Sequence, residues 1–263
     1  MIALEKLLLV QLGTFTLVVA RVGALVMSAP IFGSRGIPLI GRALIAIMIS
    51  LLVTPLLATQ SAVDMTHMLV FSKHLISELL IGLLLGFGIT ILLNGVQITG
   101  QLISQLGGTA LADVFDPNLD ENVSVFSQLF YFLTLTMFVL LGGHRLAIDA
   151  LLDTFKHLPP GEAFLGVTYV EALTTLLGQS FVLGVRAAAP AMTALLLATL
   201  VLGLIGRTLP QINVLAVGFG VNSLITLGGL FTSLGVIAWA FPQQTGIAID
   251  LLRTTLLPVD ASP

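Results

Sequence analysis

The sequence predicts an all-α, hydrophobic, multi-helix chain associated with a membrane, and three observations carry that expectation. Of 263 residues, 57% belong to the apolar set and only 9% are charged, with a mean hydropathy of +1.10, where an average soluble protein has about 25% charged residues. The 10 Lys and Arg and 13 Asp and Glu are too few to coat a water-facing surface of this size, so lipid or a large protein assembly has to supply the missing solvent. The apolar residues also gather into runs, most of them near the roughly 20 residues that a spanning helix needs.

The same composition excludes several classes of function. A net charge of -3 without a Lys/Arg-rich run removes the electrostatic footprint of a nucleic-acid binder. With no Cys there is no disulfide framework, Cys-ligated zinc, iron-sulfur cluster or thiol nucleophile.

In chain order, the first apolar stretch is Leu7 to Ala29. It does not read as a cleaved signal, because Glu5 and Lys6 cancel where a positive region should stand and the run is too long. The next stretches are Ala43 to Ala58 and Leu75 to Leu93. The chain from Leu79 to Ala112 carries no charge, yet its second half holds Asn94, Gln97, Thr99, Gln101, Ser104, Gln105 and Thr109, a pattern unsuited to lipid. Val123 to Gly143 is the fourth stretch. Ala172 to Gly206 is too long for one straight span, and Arg186 and Pro190 near its middle imply a kink, a break or a helical hairpin. Val214 to Phe241 is the last. Linkers are expected at Pro30 to Arg42, Thr59 to His74, Asp113 to Asn122 and His144 to Gly161, and Leu158-Pro159-Pro160-Gly161 suggests a division into 1–161 and 162–263. Alternating six spans places Arg35, Arg42 and Arg207 on one side and Lys6, Lys73, Arg145, Lys156 and Arg253 on the other, which defines no orientation.

No catalytic constellation stands out. The histidines at 67, 74, 144 and 157 form no metal-ligand spacing, and no G-x-S-x-G elbow is present. Gly82-Leu-Leu-Leu-Gly86-Phe-Gly88 and Gly203-Leu-Ile-Gly206 read as helix-packing faces. Arg21, well inside the first apolar stretch, either snorkels to an interface or meets a carboxylate or carbonyl of a packed neighbour. The acidic segment Asp113 to Asn122 is either a solvated loop or a pore-facing constriction entered through Gly107-Gly108, with Asp116-Pro117 fixing an extended or turn conformation.

The order of short motifs along nearly the whole chain resembles the FliR family of the flagellar export apparatus, which has counterparts in type III secretion systems. The motifs are Arg21 with the run to Ala29-Pro30-Ile31-Phe32-Gly33-Ser34-Arg35-Gly36-Ile37-Pro38, then Phe115-Asp116-Pro117, Ser127-Gln128, Gly143-His144, Asp153-Thr154-Phe155 with Leu158-Pro159, and Arg207-Thr-Leu-Pro210-Gln211-Ile-Asn213 followed by Gly218-Phe219. The resemblance implies a non-enzymatic, all-helical gate subunit without cofactor or metal, in the inner membrane at the flagellar basal body. It implies a P-like helical part followed by a Q-like hairpin. The implied partners are P-type and Q-type subunits (FliP-like and FliQ-like), an FlhB-like component, proximal rod proteins, unfolded export substrates and membrane lipid.

By position, the family's plug falls on Ser104 to Pro117, so Gly107, Gly108, Thr109, Ala110, Leu111, Phe115, Asp116 and Pro117 are the implied pore residues. Arg21, Arg207, Pro210, Gln211 and Asn213 are the implied interface or turn residues. The family often has Met and an aromatic residue in the plug, where this chain has Gly107 and Leu111. Asp113 stands where a small or hydroxyl residue is common, and Gly220 replaces a frequent Pro. The alternative is a small secondary transporter or channel, which would place paired ionisable groups around a mid-membrane site.

Overall fold

The computed structural model describes residues 2–30, 37–57, 68–108, 124–162, 168–209, 211 and 213–256. These residues form helices and short turns, with no strand among them. The helices are α1 (Ile2–Ser28), α2 (Leu39–Leu57), α3 (Met68–Gly107), α4 (Val125–Leu140), α5 (Gly143–His157), α6 (Thr168–Thr208) and α7 (Val214–Leu256). Five carry windows long and apolar enough to cross a membrane, and α4 with α5, bent by 64°, makes a sixth if the pair is one span.

Several boundaries differ from the sequence expectation. The segment expected as a linker from His144 contains α5, whose Ala147, Ala150, Leu151, Thr154 and Phe155 are buried. That spacing is a helical stripe, so packing of one face outweighs the polar character of the other. The run ending at Phe241 continues through Pro242 to Leu256. The 40, 41 and 43 residues of α3, α6 and α7 correspond to about 60 Å of helix, twice the hydrocarbon thickness. Simple alternation of six spans therefore cannot assign loop sides for such helices.

Neither a break nor a hairpin occurs at Arg186 and Pro190: both lie on exposed positions of one continuous helix. The opposite face, with Ala187, Ala188 and Ala191 fully buried, packs closely enough that a side chain at Gly229 would strike the Ala191 Cβ. Tertiary contact on the small-residue face holds the helix together across the amide that proline removes.

The chain divides into two compact units. The first takes 1–91, 142–176 and 246–263, and its core includes Leu17, Val22, Leu25, Ile81, Leu85, Leu151, Phe155 and Leu252. Here α1 lies against α3 at glycine positions. A Cβ on Gly82 would collide with the Arg21 carbonyl, and one on Gly86 with Ser28. Thr90 donates to the Ser28 carbonyl at 2.9 Å, tying the same pair of helices. The second unit takes 92–141 and 177–245, with Val96, Ile103, Phe130, Phe138, Leu195, Ile237 and Phe241 in its core.

Candidate functional site

In the first unit, Arg21 is completely buried, and each of its three guanidinium nitrogens donates a hydrogen bond within the chain. Its Nε donates to Glu78 Oε2 at 2.5 Å, Nη1 to the Thr154 hydroxyl at 3.0 Å, and Nη2 to the Leu158 carbonyl at 3.0 Å. The guanidinium also lies 4.3 Å from the centre of the Phe155 ring. Glu78, equally buried, uses Oε1 to accept the Gly161 backbone N–H at 3.0 Å. One charge pair thus joins α1, α3, α5 and the turn at Leu158 to Gly161, where Gly161 has φ +91°. Of the two readings left open for Arg21, the geometry is that of contact with a carboxylate and a carbonyl.

Sequence reasoning passed over Glu78, although a signal was present. It is the only carboxylate inside any of the six apolar stretches, as Arg21 is the only charge inside the first. Two opposite charges, each isolated in an apolar run, are most cheaply accommodated by each other. The motif Asp153-Thr154-Phe155 with Leu158-Pro159 acquires a physical reason here, since Thr154, Phe155 and Leu158 all touch Arg21.

In the second unit, the amide- and hydroxyl-rich half of α3 makes helix contacts. Thr99, fully buried, donates to the Gly184 carbonyl of α6 at 3.0 Å, and Gln101 Oε1 accepts from Ser127 of α4 at 3.1 Å. Ser124 caps α4 by accepting the Ser127 N–H at 3.2 Å. At the end of α3, Gly107 lies so close to Thr226 of α7 that a Cβ would meet the hydroxyl, and Gly108 takes a left-handed φ of +77°. Glycine alone meets both conditions without strain, so the helix terminates there.

Beside this terminus is an open cavity of about 1020 Å³, lined among others by Gly107, Gly108, Gly203, Asn213, Phe219 and Asn222. Asn222 Oδ1 and Thr226 Oγ1 are buried without a hydrogen-bond partner among the described residues. Gly203, expected as a packing face, has open space around it and lines this cavity instead. The connection from α6 to α7 starts at Arg207, exposed in the last turn of α6, where a cation suits the helix C-terminus. Gln211 is exposed in the turn, and Asn213 caps α7 by accepting the Ala216 N–H at 3.2 Å. Pro210 lies outside the described residues, as do Thr109, Ala110, Leu111, Phe115, Asp116 and Pro117 and with them the acidic segment. The structure therefore places Gly107, Gly108 and Asn213 around one cavity, while Arg21 belongs to the other unit.

Comparison with known proteins places this architecture. The model of the bacterial export proteins, family 1, matches residues 12–246. The flagellar biosynthetic protein FliR of Bacillus subtilis (strain 168) is 26% identical over 94% of this chain and 96% of its own length. FliR of Escherichia coli (strain K12) is 32% identical over 76% of each chain, and that of Caulobacter vibrioides is 28% identical over 92% of this chain and 96% of its own. With a match spanning nearly all of its helices, this chain belongs to the FliR family of bacterial export proteins and is a component of the flagellar export apparatus.

Proposed function

We propose that the chain is a non-enzymatic structural subunit of the export gate, seated in the bacterial inner membrane at the flagellar basal body, where it helps frame the path of unfolded substrates. The observation that carries the reading is the exposure of large apolar side chains along helices whose spanning windows are poorly buried by the chain itself. Only 17% of the window in α2 and 22% of that in α6 is buried, and Leu52, Leu56, Leu197, Leu224, Phe231 and Trp239 are all more than half exposed. Lipid covers some of this surface, but the amount suits a subunit completed by other helical proteins. The partners on this reading are P-type and Q-type subunits, an FlhB-like component and proximal rod proteins, with unfolded substrates as transient occupants.

Within the gate, 1–161 acts as the P-like part and 162–263 as the Q-like hairpin made by α6 and α7. Gly107 and Gly108 begin a plug that runs through Thr109, Ala110, Leu111, Phe115, Asp116 and Pro117. Arg207, Pro210, Gln211 and Asn213 form the structured turn at the hairpin tip, and Arg21 has a structural role through its ion pair. Isolation of the tagged chain from membranes of cells expressing the export apparatus tests the reading. Recovery with P-type and Q-type subunits is expected. A monodisperse, well-folded monomer with no such partner in the same preparation would contradict it.

A further inference from the structure

Arg186 is the sole charged residue between Glu171 and Arg207, and its side chain is exposed on α6. The inner face of the helix is settled by burial of Leu183, Ala187, Ala188, Ala191 and Leu195, so Arg186 points away from its own unit. Among the described residues it makes no hydrogen bond or ion pair, and those of the second unit contain no carboxylate at all.

The side of α6 that carries it is apolar along its length: Val182 is 45% exposed, Leu197 64% and Leu200 60%. Gln179, Arg186 and Thr193 follow one another at heptad spacing and form a single polar stripe along this apolar surface. Thr193 turns its hydroxyl onto the Pro190 carbonyl at 2.9 Å, which leaves the guanidinium as the stripe's strong donor. A narrow polar stripe set among exposed Leu and Val is suited to a second helix, since helix partners in apolar surroundings recognise each other through such embedded polar groups. An arginine left in that setting needs an acceptor, and a carboxylate matches its planar fork.

From these observations we propose that the Arg186 face of α6 docks a membrane helix of another export-gate subunit through a carboxylate that pairs with the guanidinium. The proposal rests on the gate reading and adds to it the surface and the chemistry of the partner. The chain's own acidic residues Asp113, Asp116, Asp120 and Glu121 are a weaker match. They belong to a segment that sets four carboxylates among the ten residues from Asp113 to Asn122, and a run so dense in charge is costly to lay against Val182, Leu197 and Leu200.

The test uses tagged full-length chain in cells producing the whole apparatus, with co-isolated membrane subunits quantified against the chain. Arg186→Leu exchanges an outward charge for an apolar group and leaves the buried alanine face untouched. It is expected to lower recovery of one subunit at least about thirty-fold, as for loss of one member of a desolvated charge pair. Arg186→Lys should retain most of the recovery. Arg186→Glu should abolish it, and an Asp or Glu to Arg change in the lost subunit should restore it.

Full recovery of every subunit with Arg186→Leu would overturn the proposal while leaving the gate reading intact. A wild-type chain that brings down no other subunit would overturn both. Loss of bound anionic phospholipid alone, with all subunits kept, would assign Arg186 to a headgroup and also overturn it. So would the same loss of recovery on neutralising Asp113, Asp116, Asp120 and Glu121 together, without any charge-swap suppressor in a partner.

Discussion

Breaking the Arg21–Glu78 pair from either side should destabilise the first unit far more than removing both charges. Each side chain is fully buried, and the pair is completed by Thr154, the Leu158 carbonyl and the Gly161 N–H. Glu78→Met strands a guanidinium that retains one hydroxyl and one carbonyl; Arg21→Met strands a carboxylate that retains one backbone N–H. Removing one member of such a pair costs about 3–5 kcal/mol, whereas replacing both with apolar groups of similar volume is often close to neutral. The Arg21→Met/Glu78→Met double variant should therefore recover most of what either single variant loses, apart from the contact with Phe155 and the bonds to Thr154, the Leu158 carbonyl and the Gly161 N–H. At about 2–4 °C per kcal/mol for a chain of this size, each single variant should unfold on the order of 10 °C below wild type. The assay is a thermal melt of the detergent-purified gate complex, read as a double-mutant cycle. Single variants within about 1 kcal/mol of wild type, with additive effects in the double variant, would refute the reasoning, because they would mean that neither charge depends on the other.

Three further outcomes follow from the packing. Gly82→Val should weaken the contact between α1 and α3 by at least about 1–3 kcal/mol, since the new Cβ meets the Arg21 carbonyl and a backbone atom cannot turn aside. Gly203→Ala, inside α6 where nothing lies within 4 Å, should raise stability by about 0.5–1 kcal/mol in the same melt, the usual gain for alanine over glycine in a helix. Asn213→Ala should cost about 1 kcal/mol through loss of the α7 cap and speed hydrogen exchange at the Ala216 N–H, while Asn213→Asp should keep both near wild type.

The all-helical class was legible because the apolar residues gather in runs near the length of a spanning helix, and Gly82 and Gly86 were legible as a packing face from their spacing, although that spacing did not name α1 as the partner. Charge punctuation was a poorer guide to boundaries. His144, Arg145, Asp149, Asp153, Lys156 and His157 suggested a linker, while Ala147, Ala150, Leu151, Thr154 and Phe155 on the alternate positions already spelled one buried helix face. Pro190 suggested an interruption because a local rule says nothing of the alanines on the opposite face, which pack and carry α6 through. At the candidate site, the glycine pair that ends α3 could be read from the sequence, since two successive glycines end helices readily. The cavity beside it could not, because its lining joins Gly107 to Gly203, Phe219 and Asn222, residues about a hundred positions away that only the packed fold brings together. Arg21 announced its need for an acceptor, but Glu78 emerged as that acceptor only when α1 and α3 were seen side by side.

The central claim is that the segment opening at Gly107 restricts a path through an assembled gate, and ion leakage measures it most directly. Assembled gates containing wild-type chain, a deletion of Gly107 to Ala112, or a deletion of equal length within Thr59 to His67 are compared in membranes without an export substrate. The account predicts that ion or small-solute leakage rises in the first deletion well above both the wild type and the second deletion, with subunit content unchanged in all three. Equal leakage from the two deletions at normal subunit content would contradict it and make the segment an ordinary loop.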